Sequence, residues 1–161
     1  MTYRTLRYRL PGAAWSLEFS ETALQTVLDH VQRSRASKES VGQLFATDLT
    51  ADPIVVEVAT VLKPIRSAWA RVTFSTDGAM TERDALFKKG LHCIGFWHTH
   101  PEFSPTPSMD DRQMAREHAL AAQPQLAGIL FVIVGTAAPP ACLRAWVDDG
   151  VELCEALLEQ N

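Results

Sequence analysis

The chain has 161 residues, with 15 Lys+Arg against 19 Asp+Glu, and so carries a formal charge of −4. With 47% apolar and 21% charged residues it has an ordinary globular mixture, which excludes general disorder. The acidic balance lacks the electrostatic footprint of a nucleic-acid binder, and the longest apolar run, residues 127–135, is far short of the roughly 20 residues that span a bilayer.

The first residues, Met-Thr-Tyr-Arg-Thr-Leu-Arg, hold no apolar core of a secretory signal. Cys93, Cys142 and Cys154 are an odd set without close pairing, which suits a reducing, cytoplasmic setting. Residues 3–10 and 14–19 alternate in polarity around Pro11-Gly12, the pattern of a hairpin with one buried face. Ser20 can cap a helix, and Ala23, Leu24, Val27, Leu28 and Val31 recur at helical spacing, predicting a helix to about Ala36. Short strands are expected over 41–46 and, β-branched, over 54–62. Thr81 opens a Thr-x-x-Asp cap ahead of Ala85, Leu86 and Phe87, and Gly90 would stop that helix.

A third strand over 91–97 leads straight into His98-Thr99-His100. Pro101, Pro105 and Pro107 make the next segment stiff and not helical. A helix follows over 108–122, with Met114 and Leu120 inward, and then an apolar central strand over 127–134. Residues 142–148 and 151–157 read as strands around Asp149-Gly150, a type I′ pair. The last segment could instead be a helix, because Glu152, Glu155, Ala156 and Leu157 favour one. Helices interleaved with strands predict an α/β fold, a mixed central β-sheet flanked by helices, in one domain over 1–161.

His98, His100, Ser108 and Asp111 form the constellation with chemistry. Side chains two apart on an extended segment point the same way, so His98 and His100 can aim at one point while Thr99 faces away. Seven residues, 101–107, then intervene, and Ser108 opens the next helix with Asp111 one turn on. A stiff loop could fold that helix start over the imidazoles. Two imidazoles and a carboxylate are three ligands and leave a fourth tetrahedral position for water, the arrangement of a catalytic zinc site. No Cys-x-x-Cys suggests a structural one. Taken alone, Ser-x-x-Asp at a helix start is a capping box, and here cap and chemistry can coexist.

The run Gly95-Phe96-Trp97-His98-Thr99-His100-Pro101, then Ser108-Met109-Asp110-Asp111, resembles the JAMM motif of the JAB/MPN metallopeptidases. The resemblance extends from about residue 14 to the end, and Asp111, not Asp110, has the motif's offset. It implies an MPN/JAB-like, cytidine-deaminase-like architecture with one zinc on His98, His100 and Asp111. It also implies a catalytic glutamate, for which Glu39 in Glu39-Ser40-Val41-Gly42-Gln43-Leu44 is favoured over Glu57. Glu39 would take a proton from the zinc-bound water and pass it to the leaving amine, and Ser108 would donate to the oxyanion. Trp97 and Phe74 are candidate substrate contacts, with core packing as the alternative for each. His92, His118 and Cys93 are read as structural.

Family members similar to this chain cut after the C-terminal Gly of ubiquitin or ubiquitin-like modifiers. The resemblance therefore implies a deconjugase or tail-processing peptidase, with E1-like and E2-like proteins as possible partners and no nucleic acid or membrane. The modifier's tail would bind as an added strand. Two alternatives remain open: release of an amino acid from a sulfur-carrier protein, and a non-catalytic scaffold. The intact motif argues against the scaffold.

Overall fold

The computed structural model describes residues 4–34, 36–66, 72–74 and 76–160, the side chains of 64–66 and 72–74 excepted. Alternating polarity builds the expected first hairpin. β1 (Leu6–Arg9) pairs antiparallel with β2 (Leu17–Phe19), Leu6 opposite Phe19 and Tyr8 opposite Leu17, and all four are buried. On the other face Arg7 and Glu18 pair at 2.7 Å.

Ser20 caps α1 (Glu21–Leu28) by accepting from the Ala23 N–H. The helix stops at Leu28 rather than near residue 36. Residues 32–40 offer only Ala36 as an apolar position, so no packing would hold a longer helix to the core. Instead Gln32 Nε2 donates to the Ser37 carbonyl, and the Ser34 N–H to Ser37 Oγ, turning the chain toward β3 (Val41–Ala46). The β-branched run at 54–62 is also not one strand. It breaks at Glu57 into β4 (Ile54–Val56) and β5 (Val58–Ala59).

β6 (Pro64–Arg66) and β7 (Val72–Phe74) form a separate two-stranded sheet. α2 (Thr76–Phe87) begins well before the expected Thr81, whose hydroxyl donates one turn back to the Asp77 carbonyl. Gly90, at φ +82°, follows its end as expected. β8 (His92–Thr99), α3 (Met109–Ala122) and β9 (Ile129–Val134) come next, then β10 (Leu143–Asp148) and β11 (Leu153–Leu158). The last segment is thus a strand. Its connection to β10 is not a two-residue turn, because Asp149 Oδ1 accepts from both the Val151 and Glu152 N–H groups and shapes a longer loop.

The main sheet has nine strands in the order β4-β2-β1-β11-β10-β9-β8-β3-β5. It is mixed, with β2–β4 and β8–β9 parallel and the other pairs antiparallel. Its two edges, β4 and β5, are consecutive in the chain, so the sheet curls until it nearly closes on itself. One core cluster lies on the α1 side, with Phe19, Leu24, Leu44, Trp97 and Val132. A second lies under α3, with Phe96, Phe131, Ile133 and Trp146 against Ala115 and Ala119, and a small third joins Val41, Leu62 and Ala79. Met114 packs there too, but Leu120 is 53% exposed, because the alanines already bring the helix close to the sheet. Among the described residues no helix is long and apolar enough to cross a membrane, and all three cysteines are free.

Gly42 has a steric reason. A Cβ there would sit 1.7 Å from the Thr60 carbonyl oxygen and 2.4 Å from Trp97 Nε1, which themselves hydrogen-bond at 2.8 Å. Gly42→Ala is expected to cost about 2–3 kcal/mol of stability through overpacking and loss of that bond. A urea midpoint equal to that of the parent chain would contradict this.

Candidate active site

The site is built where β8 and β9 end together. His98 and His100 lie on one face of the β8 end, and Thr99, between them, accepts from the Ser40 N–H through Oγ1 at 2.9 Å. The His100 N–H donates to the Val134 carbonyl, continuing the pairing with β9. The proline-rich loop over 101–107 is then pinned from outside. Thr136 N–H donates to the Glu102 carbonyl at 2.9 Å and Ala137 N–H to that of Phe103 at 3.2 Å. Arg144 Nη1 reaches the Pro105 carbonyl at 2.9 Å, and Pro105 itself is buried.

This brings the start of α3 back over the histidines. Ser108 is its N-cap, with a reciprocal capping box: Asp111 N–H donates to Ser108 Oγ at 3.1 Å, and Ser108 N–H to Asp111 Oδ2 at 2.8 Å. Ser108 Oγ serves the cap as acceptor, so its own hydrogen is left to donate.

The resulting donor cluster is compact. One donor atom from each of His98, His100 and Asp111 lies within 4.8 Å of the others. His98 Nε2 is 2.8 Å from His100 Nε2, and Asp111 oxygens lie 3.4 Å from His98 Nε2 and 3.6 Å from His100 Nε2. Ligands at about 2.0–2.2 Å on a tetrahedron stand roughly 3.3–3.6 Å apart, so the two carboxylate separations already match tetrahedral edges. The imidazole pair is closer, at hydrogen-bond length, and needs a small rotation. Two nitrogens and one oxygen are a donor set suited to zinc, with one position left open.

Burial pushes the Asp111 carboxyl up, but the hydrogen bond and charge of His98 and the Ser108 N–H outweigh it and bring it down to about 2. Asp111 is therefore ionised near neutral pH, as a ligand must be. His98 is 8% exposed and lies 5.2 Å from the Phe131 ring, so protein walls the centre on its inner side.

Glu39 is half-buried, two residues before Val41, which pairs with His98. Pairing continues through Ser40 and Thr99, so strand alternation puts Glu39 on the face that the two histidines share. The rival Glu57 sits at the break between β4 and β5, where its carboxylate accepts from the Thr47 hydroxyl. Trp97, an expected substrate contact, is fully buried in the α1-side core, its indole tied to Thr60, and reaches no surface. Phe74 lies on β7 with its side chain outside what the structure describes.

His92 packs edge-on against Phe87, and His118 lies on the Phe96 ring at 4.2 Å. Burial, with Arg83 nearby, lowers the His118 pKa. Burial also raises that of Cys93, keeping the thiol protonated. Two residues escaped the sequence reading. Arg144 holds the loop from a distant strand, which no local signal announces. Glu102 Oε2 lies 3.3 Å from His100 Nδ1, and its position two residues past His100 was a legible hint.

A model of prokaryotic homologues of the JAB domain matches residues 20–148. A protein of Pseudomonas aeruginosa (strain BWHPSA011 / Pa011) named CD-NTase/cGAS isopeptidase is 33% identical over 100 residues, 60% of this chain and 63% of that protein. One of the same name from Enterobacter hormaechei subsp. hoffmannii (strain UCI 50) is 26% identical over 168 residues, 98% of this chain and 91% of that protein. The fold is shared with the solution structure of protein DSY2949 from Desulfitobacterium hafniense, with a TM-score of 0.63 at 17% identity, covering 85% of this chain and 87% of that one. The chain belongs to the family of prokaryotic homologues of the JAB domain.

Proposed function

We propose that this chain is a zinc-dependent isopeptidase or peptidase that hydrolyses the amide bond after the C-terminal Gly of a ubiquitin-like modifier. The convergence of His98, His100 and Asp111 beside the capped start of α3 carries this reading. Family membership and the name isopeptidase on two relatives support it. Residues 1–161 would act as one cytoplasmic catalytic domain of MPN/JAB-like, cytidine-deaminase-like architecture.

In this reading His98 Nε2, His100 Nε2 and Asp111 hold the zinc. When bound, zinc supplies Lewis acidity, lowering the pKa of a coordinated water and polarising a carbonyl. Glu39 takes a proton from the attacking water and delivers it to the leaving nitrogen. Ser108 donates its hydroxyl hydrogen to the developing oxyanion, from a position fixed by the cap. Glu102 accepts from His100 Nδ1 and so keeps the Nε2 lone pair aimed at the centre. Glu102→Ala is expected to weaken zinc binding about 10-fold. Titration against a chromophoric chelator measures it, and unchanged affinity would remove Glu102 from this role.

The relatives' name directs the search for substrate to conjugates between a ubiquitin-like protein and a CD-NTase, with E1-like and E2-like proteins as makers of the conjugate. The test incubates the zinc-loaded chain with ubiquitin-like proteins conjugated to such a target or extended beyond the terminal Gly. A sulfur-carrier protein carrying one extra amino acid completes the panel. Cleavage at the Gly of one modifier, abolished by chelator, is the expected result. Zinc binding without cleavage of any member would move the chain to the scaffold reading.

A further inference from the structure

Thr99 stands between His98 and His100 in the chain, on the opposite face of β8, and is fully buried. It can meet neither a metal held by the two imidazoles nor a substrate. It lies across from Ser40, one step beyond Val41 and His98, the end pair of β3 and β8. In a hydrogen-bonded pair of an antiparallel ladder the two residues exchange both bonds, each N–H going to the other's carbonyl. Ser40 and Thr99 keep one bond of that form, from Thr99 N–H to the Ser40 carbonyl at 3.0 Å. The return bond runs instead from Ser40 N–H to the Thr99 hydroxyl oxygen at 2.9 Å. A side chain thus completes the ladder where β3 begins.

That bond acts on Glu39 directly. The Ser40 nitrogen belongs to the Glu39–Ser40 peptide group, which is planar, so fixing its N–H fixes the plane from which the Glu39 backbone departs. Residues 38–40 lie outside every strand and helix. Upstream, the chain is tethered by the Gln32 amide on the Ser37 carbonyl, two residues before Glu39. The histidines are supported from the other side: His98 pairs with Ile133 of β9, and His100 N–H donates to the Val134 carbonyl. Base and ligands therefore come from separately held segments, and the Thr99 side chain ties one to the other.

Resting on the function proposed above, we propose that Thr99 is a positioning residue, whose hydroxyl oxygen holds the Glu39–Ser40 peptide so that the Glu39 carboxylate stays within reach of the attacking water. A base must come within about 2.6–3.2 Å of the group whose proton it takes, and misplacement by about 1 Å can cost on the order of 100-fold in rate. Thr99 acts only through Glu39, and its removal should spare the ligand set.

Thr99→Val keeps the volume and removes the acceptor. On a ubiquitin-like protein of the panel extended by a peptide beyond its terminal Gly, it is expected to lower kcat about tenfold and leave KM unchanged. Zinc affinity, titrated against the chromophoric chelator, should equal that of the parent chain. Thr99→Ser, which keeps the hydroxyl, should restore kcat. In hydrogen exchange the Ser40 amide should be protected in the parent chain and in Thr99→Ser, and should exchange fast in Thr99→Val. The double variant decides the role. Acting through Glu39, Thr99→Val costs nothing further in the Glu39→Gln background, whereas a purely structural contribution lowers kcat equally in both. Thr99→Ala supplies the same comparison if the thermal midpoint shows that the valine variant does not fold. Equal loss in both backgrounds, unchanged kcat in a folded variant, zinc affinity that falls with kcat, or a Ser40 amide unprotected in the parent chain overturns the positioning role. A Glu39→Gln variant as active as the parent, or a zinc-loaded parent chain that cleaves no panel member, overturns the functional reading and this one with it.

Discussion

Glu39→Gln is expected to reduce turnover about 10³-fold while zinc stays bound, because the amide keeps the shape of the side chain and cannot accept a proton. A factor of that size is roughly 4 kcal/mol of barrier. Glu39 is not among the clustered donors, so its loss should leave the zinc stoichiometry unchanged. Glu57→Gln is the natural comparison. Glu57 is engaged with Thr47 at the break between β4 and β5, so that variant should turn over at near the parent rate. Single-turnover kinetics on a cleaved panel substrate, with metal analysis of the same samples, decides between them. Full activity in Glu39→Gln would end its assignment as the base.

His98→Ala and Asp111→Ala are each expected to lose both zinc and activity. Removing one of three protein ligands leaves two, too few for a stable site. The variants should differ in a second respect. Asp111 also accepts from the Ser108 N–H, so its loss removes one half of the capping box at a cost of about 0.5–1 kcal/mol, the Ser108 hydroxyl still accepting from the N–H of residue 111, while His98 has no part in the cap. Asp111→Asn separates the two effects, since it keeps an acceptor for the cap and loses the ionised ligand. In the parent chain, added zinc should raise the unfolding midpoint by mass action, on the order of 4 kcal/mol at a thousandfold excess over Kd. Stoichiometric zinc in both alanine variants would refute the ligand set.

Much of the site could be read from the chain because its spacing is local. His98 and His100 are two apart on one strand, and Ser108 and Asp111 share one helical turn, so backbone periodicity alone pairs them. What joins the pairs is not local. The loop between them is fixed by Thr136, Ala137 and Arg144, residues that the sequence order hides. The same division runs through the fold. Strands β3, β9 and β10 follow from apolar runs. α1 ends early because its continuation has nothing to pack on, and the run at 54–62 breaks because its halves serve opposite edges of one sheet. Trp97 misled although alternation along β8 already turns it away from its neighbour His98, toward the face where Gly42 leaves room for the indole. Asp111 and Glu39 needed family spacing to be chosen over their acidic rivals.

The near-closure of the sheet governs which foreign strands this surface admits. An open edge is a row of free N–H and C=O groups, and any extended chain can add to it. Here the edges are three and two residues long and separated by one residue. The carbonyls at the break between them and just past β5 are also occupied. Glu57 O accepts from Ser20 and Thr22 hydroxyls, and Thr60 O from the Trp97 indole. An arbitrary unfolded segment drifting past finds little backbone to zip onto along the nine-stranded sheet. For the peptidase proposed above this would be a form of restraint: indiscriminate strand capture is suppressed by architecture, and access is left to surfaces that recognise side chains as well as backbone.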